Sequence, residues 1–317
     1  MSAPVYRDPV YDGATDPTVV KNLETGAWWM FYTQRRTTDR GPRHRWVHGT
    51  EIGVAVSDDG GRTWAYRGTA PGLESGNTLW APEVIATPDG YRMYLTVVDG
   101  VPDRWTGPRA RIVEYRSPDL DRWRRIGPIE LGSERVIDAA VAPCADGNWR
   151  LWYKNERDGS TTWSAVSRDL EHWQVEGRAI DPSPPHEGPK VFEFADWFWL
   201  IVDEWRGLGV YRSSDGVGWR RQAHNGGLIL DRPGRHPLDR SVGHHADVVV
   251  LEADDPQSDT AVLFYFSHPK GEPGGDEDRE RRNSAIQVAR LSVVDGTLHA
   301  DRDVVTPLAL TPVDRVA

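Results

Sequence analysis

The 317-residue sequence has one cysteine, three methionines and no surplus of positive charge. Each shortage closes off a class of protein. Cys144 has no partner for an internal disulfide, and its neighbours Val141, Ala142 and Ala145 mark it as a small buried side chain, not a nucleophile. Asp and Glu outnumber Lys and Arg by 48 to 38, and the resulting net charge of −10 gives no basic footprint for a phosphate backbone, so nucleic acid is not an expected partner. No stretch approaches the roughly 18 apolar residues of a membrane span. The segment Met1 to Asp8 lacks a basic region followed by an apolar one, so the expected location is the cytoplasm, away from any membrane. Helical periodicity is also scarce. In its place are short strand-like runs broken by Gly, Pro, Asp and Asn.

What is abundant is tryptophan, 15 residues, and much of it recurs in a repeat. Five aromatic-rich runs, Trp28 to Tyr32, Tyr91 to Leu95, Trp149 to Tyr153, Trp197 to Ile201 and Val262 to Phe266, have centres 47 to 65 residues apart, at Phe31, Met93, Trp152, Trp199 and Phe264. After four of them comes Ser-x-Asp, a short turn and a Trp: Ser57 to Trp64, Ser117 to Trp123, Ser167 to Trp173 and Ser213 to Trp219. Ser and Asp side chains satisfy the amides of a hairpin turn, and the Trp is free to drop onto a neighbouring sheet. The expected fold is all-β, a five-bladed β-propeller with four-stranded antiparallel blades around a central channel, a single domain over 1–317. Three longer stretches, Gln34 to Thr50, Asp99 to Arg111 and His268 to Asn283, fall outside the repeat and read as rim loops.

Ahead of each aromatic run stands a polar residue: Asp16, Glu83, Asp138, Glu187, and the pair His244/His245. In a propeller the first strand of each blade lines the channel, so these groups would converge. Asp8-Pro9 is a second Asp-Pro step, too early for the first strand, and reads as a turn. Asp138 lies in an otherwise apolar segment, where an unpaired carboxylate is costly.

The local sequences Thr15-Asp16-Pro17, Trp80-Ala81-Pro82-Glu83, Ile137-Asp138-Ala139 and Glu187-Gly188-Pro189 together resemble glycoside hydrolase family 43, five-bladed propellers acting on arabinose, xylose and galactose linkages. The resemblance implies an inverting, exo-acting glycosidase for a terminal arabinofuranosyl, xylosyl or galactosyl-type unit of an oligosaccharide. Asp16 would be the general base that takes a proton from water, Glu187 the general acid that protonates the leaving oxygen, and Asp138 the group that tunes the acid. Burial and the nearby Asp138 would raise the pKa of Glu187. Trp80, Glu83 and His244 would contact substrate. The reaction needs no cofactor, but some family members hold a central ion, often calcium, through a His after Gly. His244 after Gly243 matches that step more closely than His245, although the carboxylate cluster that calcium prefers is missing.

Three other readings use the same fold. Ser57 to Trp64 is also a good sialidase Asp-box, yet the arginine cluster such enzymes need does not recur at blade starts. The retaining family 32 opens on Asn-Asp-Pro-Asn and has Glu-Cys, where this chain has Thr15 before Asp16 and Gly188 after Glu187. A non-catalytic sugar-binding propeller requires the ring of acids alone. Sugar identity and oligomeric state are not legible.

Overall fold

Each aromatic run becomes the second strand of an antiparallel sheet, and each polar segment ahead of it becomes the first. The computed structural model describes residues 4–41, 43–105, 108–251, 259–269, 282–303 and 310. Blade 1 is β1 (Ala14–Lys21), β2 (Trp28–Gln34), β3 (Glu51–Ser57) and β4 (Ala65–Thr69). Blade 2 is β5 (Thr78–Thr87), β6 (Gly90–Val98), β7 (Ala110–Ser117) and β8 (Arg124–Pro128), and blade 3 is β9 (Val136–Pro143), β10 (Trp149–Asn155), β11 (Thr161–Ser167) and β12 (Gln174–Arg178). Blade 4 is β13 (Glu187–Phe194), β14 (Trp197–Asp203), β15 (Leu208–Ser213) and the short β16 (Arg220–Arg221), with β17 (Leu228–Ile229) also paired to β15. Blade 5 is β18 (His244–Leu251), β19 (Thr260–Ser267), β20 (Ala285–Val294) and β21 (Thr297–Asp301). The expected five-bladed propeller is the observed fold.

The composition of each strand follows its place. First and second strands are almost wholly buried, whereas β4, β8 and β12 at the outer edge are largely exposed and carry charges such as Arg124 and Arg125, which discourage edge-to-edge pairing. The Ser-x-Asp hairpins join third strands to fourth. In each, the Ser hydroxyl bonds the Asp carboxylate and accepts a turn amide, as Ser57 does from Gly61 and Ser117 from Leu120. The Trp that follows then stands edge-on to an aromatic ring of the preceding blade: Trp64 on Phe264, Trp123 on Phe31, Trp173 on Tyr94 and Trp219 on Trp152, at 78° to 89° between planes. Four of the five blade interfaces thus share one contact, worth about 1 kcal/mol beyond its buried area. These tryptophans are structural.

Both ends of the described chain bridge blades 5 and 1. Val5 and Tyr6 exchange backbone bonds with Ile286 on β20, and the carbonyl of Leu310 accepts the Trp28 indole N–H at 2.7 Å while its amide bonds Gly60. Asp8 caps the amides of Val10 and Tyr11, the turn expected of Asp8-Pro9. Cys144 is buried, as expected. The rim loops over 34–50 and 99–111 meet: the His44 amide bonds the Asp103 carbonyl, and Trp105 packs against His44, His48 and Trp80. Residues 270–281 of the third loop lie outside the described residues. Among the described residues no helix is long and apolar enough to cross a membrane.

Candidate active site

The five first strands align on a shared valine: Val19, Val84, Val141, Val191 and Val248. Three residues before each valine stand Asp16, Ala81, Asp138, Gly188 and His245; one residue before stand Thr18, Glu83, Ala140, Lys190 and Asp247. At the upper row the pairing of first and second strand slips in every blade, between Thr15 and Thr18, Trp80 and Glu83, Trp152 and Lys154 opposite Asp138, Glu187 and Lys190, and His244 and Ala246. A bulge re-aims the side chain it carries. In four blades the bulged residue has a left-handed backbone, with φ of 48° at Asp16, 44° at Ala81, 57° at Asp138 and 57° at Gly188. Holding three non-glycine residues there costs on the order of 1–3 kcal/mol each, strain that concentrates at functional sites. At Gly188 only glycine fits, because a Cβ would meet the His245 ring at 2.6 Å.

The bulges bring Asp16, Asp138, Glu187, His244 and His245 to one pocket of about 410 Å³ at the channel mouth, whose walls include Trp80, Trp105, Trp205 and Phe266. Asp16 accepts the Thr15 hydroxyl at 3.0 Å and faces His245 Nδ1 at 3.5 Å and Arg35 at 3.7 Å. Asp138 accepts the Gly188 amide at 3.2 Å. Glu187 Oε2 receives the Lys154 ammonium at 3.0 Å, and Lys154 lies 5.3 Å from the centre of the Trp205 ring. His244 bonds Asp203 at 3.0 Å and stacks on Phe266.

Electrostatics divide the carboxyls in a way the sequence did not lead one to expect. Burial pushes Asp138 up to about 7; Glu187 and Asp16 add to the rise, and His245 and Lys154 oppose it. Burial acts on Glu187 in the same direction, but Lys154, the Trp205 indole N–H and His245 outweigh it and hold that carboxyl below its ordinary range. The expected upward shift of Glu187 is therefore reversed, because a buried cation sits on it. Burial pulls His245 down, yet Asp16, Asp138, Glu187 and Asp203 surround it and raise it overall, which favours the imidazolium.

The structure places one sequence-based site residue away from the pocket. Glu83 does not line the pocket; it belongs to the lower row, where Lys190 Nζ lies 2.9 Å from both its oxygens and 2.7 Å from Asp247. Asp247 accepts the Val19 amide, Thr18 the Val84 amide and Glu83 the Val141 amide, so this belt ties all five blades together. The two-residue offset between rows, visible once the valines are aligned, would have separated Glu83 from Asp16 and Asp138. Trp80 does line the pocket, its indole N–H bonded to the Val47 carbonyl at 2.7 Å. Of the two histidines, His245 is the one at the bulge beside Asp16, while His244 is turned to Asp203. Lys154, Asp203, Trp105 and Trp205 also line the pocket. They lie on second strands and loops, outside the motif that marked the first strands.

A central calcium ion does not fit these residues. Among the described residues no three His, Cys, Asp or Glu side chains are grouped to hold a metal. His244 Nδ1 is engaged by Asp203, and the carboxylates lower in the channel already enclose the Lys190 ammonium.

No family model matches the sequence, and no curated protein is similar to it in sequence. Solved structures are similar in fold. A thermostable family-43 glycoside hydrolase superposes with a TM-score of 0.67 at 20% identity, over 94% of this chain and 97% of the other. A family-43 β-xylosidase/α-arabinofuranosidase from a compost microbial metagenome, solved with xylotriose in a calcium-free form, gives 0.64 at 15% identity over 94% and 96%. A family-32 β-fructofuranosidase from Bombyx mori gives 0.63 at 13% identity over 95% of this chain and 66% of the other. The chain has the five-bladed propeller fold that these glycoside hydrolases share.

Proposed function

We propose that this protein is an inverting, exo-acting glycoside hydrolase that removes a terminal arabinofuranosyl, xylosyl or galactosyl-type unit from an oligosaccharide or glycoside. The observation that carries the reading is that first-strand bulges at Asp16, Asp138 and Gly188 present Asp16, Asp138 and Glu187 to one pocket. Asp16 acts as base: placed beside His245 and Arg35, it takes a proton from water as the water oxygen attacks the anomeric carbon. The leaving oxygen receives its proton from the Asp138–Glu187 pair as the glycosidic C–O bond breaks. Asp138 is 5% exposed and holds that proton near neutral pH, while Glu187 reaches further into the pocket, its side chain 27% exposed, and delivers it. Asp16 then loses its proton to solvent, and the pair regains one.

The pocket volume and the packed loops over 34–50 and 99–111 favour a chain end over a chain interior. Trp80, Trp105 and Trp205 offer aromatic faces to the sugar, and His244 a polar one. The family-43 resemblance of the motifs and the fold shared with a xylosidase/arabinofuranosidase support the sugar class. The absence of the family-32 opening and of its Glu-Cys step favours inversion over retention. A panel of pentosides and hexosides, with the first-formed product anomer followed by NMR, tests class, sugar and stereochemistry together. Turnover with inversion in the wild type and its loss in Asp16→Ala and Glu187→Ala are expected; unchanged rates in both variants, or binding without hydrolysis, would overturn the assignment.

A further inference from the structure

Lys154 is a buried ammonium at the end of β10, its side chain 5% exposed. The bulge at Asp138 sets it opposite Ile137 and sends it into the pocket. Its Nζ has two carboxylates in reach, Glu187 Oε2 at 3.0 Å and Glu156 Oε1 at 3.6 Å, and the Trp205 ring beside it. Glu156 is itself held on its other oxygen by Arg135 at 2.7 Å, so it is fixed in place as an alternative partner. An ammonium has three donors and no acceptor. While Lys154 holds Glu187 Oε2, that oxygen cannot present a proton, and the carboxyl is kept as an anion. A leaving oxygen needs a proton from this same group.

Resting on the glycosidase reading above, we propose that Lys154 is a positioning residue that latches Glu187 as a carboxylate in the free protein and releases it to Glu156 when a sugar enters the pocket. Release moves the ammonium along a gap already bounded by both acids and requires no backbone change. Once freed, Glu187 is protonated at the expense of Asp138, so the net charge of the pair does not change. The groups that bear on Glu187 are Lys154, the Trp205 indole N–H, His245 and Asp138; those on Lys154 are Glu187, Asp138 and Glu156 with Arg135 behind it. The latch keeps the acid from drawing a proton before substrate is present, and it ties protonation to occupancy.

Two substitutions separate a latch from a mere packing role. Lys154→Met removes the cation, so the Glu187 carboxyl followed by ¹³C NMR should titrate at least about one pH unit higher, and the alkaline limb of kcat/KM should move up with it. Glu156→Gln removes the second partner and leaves Lys154 on Glu187, so the alkaline limb should move down. In that variant kcat should fall about tenfold on glycosides with poor leaving groups and little on activated aryl glycosides. Shifts of opposite sign are the signature, because general loosening would move both variants the same way. An unchanged Glu187 titration in Lys154→Met, or limbs that shift together, would overturn the proposal. If Lys154→Met does not fold, the direction of the Glu156→Gln limb decides. If the wild type hydrolyses no glycoside, the enzyme reading fails, and the NMR titration still decides whether Lys154 holds Glu187.

Discussion

Replacing Lys190 by Met should test the axial belt most directly. Its side chain is 13% exposed, and the ammonium sits between Glu83 and Asp247, whose side chains are 5% and 3% exposed. Met fills similar volume but leaves two carboxylates without their cation, each still accepting a backbone amide, Glu83 from Val141 and Asp247 from Val19. Removing one partner from a buried ion pair costs about 3–5 kcal/mol, a fall in Tm of about 5 to 8 °C for a chain of this size. The loss should depend on pH. In the wild type burial pushes Glu83 up and Lys190 pulls it back, while Lys190 itself is raised by Asp247 and Glu83 against its burial. The stability Lys190 contributes is therefore fully present across pH 5 to 8. In the variant Glu83 has lost its cation, so its folded pKa lies further above the unfolded value. Such groups cost little where they are protonated and progressively more as pH rises through the folded pKa. Calorimetric Tm measured from pH 5 to 8 should thus show a gap between variant and wild type that widens with pH. Glu83→Gln combined with Lys190→Met should recover part of it, since one anion is gone. A gap below about 1 kcal/mol at pH 8, or one that does not change with pH, would refute the reasoning.

Asp138→Asn keeps an acceptor for the Gly188 amide and removes an ionisation that burial opposes. Because the Asp138 pKa is raised, its stability is present at low pH and lost as pH climbs through about 7, so the variant should gain roughly 2–4 kcal/mol at pH 8 by chemical denaturation while losing activity. Trp105 and Trp205 are 45% and 47% exposed. Their alanine variants should stay within about 0.5 kcal/mol of wild-type stability in urea unfolding. In steady-state kinetics their KM should rise about tenfold, with Trp205→Ala also loosening Lys154. Exhaustive chelation should leave Tm unchanged, since the cation at the axis is a lysine; a fall reversed by calcium would contradict that account.

The architecture was legible because one physical rule acted five times: aromatic second strands must be buried, and the Ser-x-Asp hairpins print their turn chemistry in the sequence. That Asp16, Asp138 and Glu187 meet in one pocket was legible from their place ahead of the aromatic runs, although their roles there are a separate question of chemistry. Glu83 stands at a similar distance from its aromatic run but one residue before Val84, two residues further along its strand than Asp16 and Asp138, and the aromatic runs alone do not register that offset. The influence of Lys154 on Glu187 was out of reach for a different reason. It comes from β10 across a register shift, and no local pattern reports which side chain of a neighbouring strand will meet a carboxylate.

The left-handed bulges have a bearing on how such a protein can change. Asp16 and Asp138 are set by the backbone of innermost strands, whereas the loops over 34–50 and 99–111 that wall the pocket hang from the rim. The carboxylates and the outer walls of the pocket are thus written in separable parts of the chain. Insertions or exchanges in those loops would reshape the pocket without disturbing the carboxylates, so what the pocket admits and what its acids do can change independently.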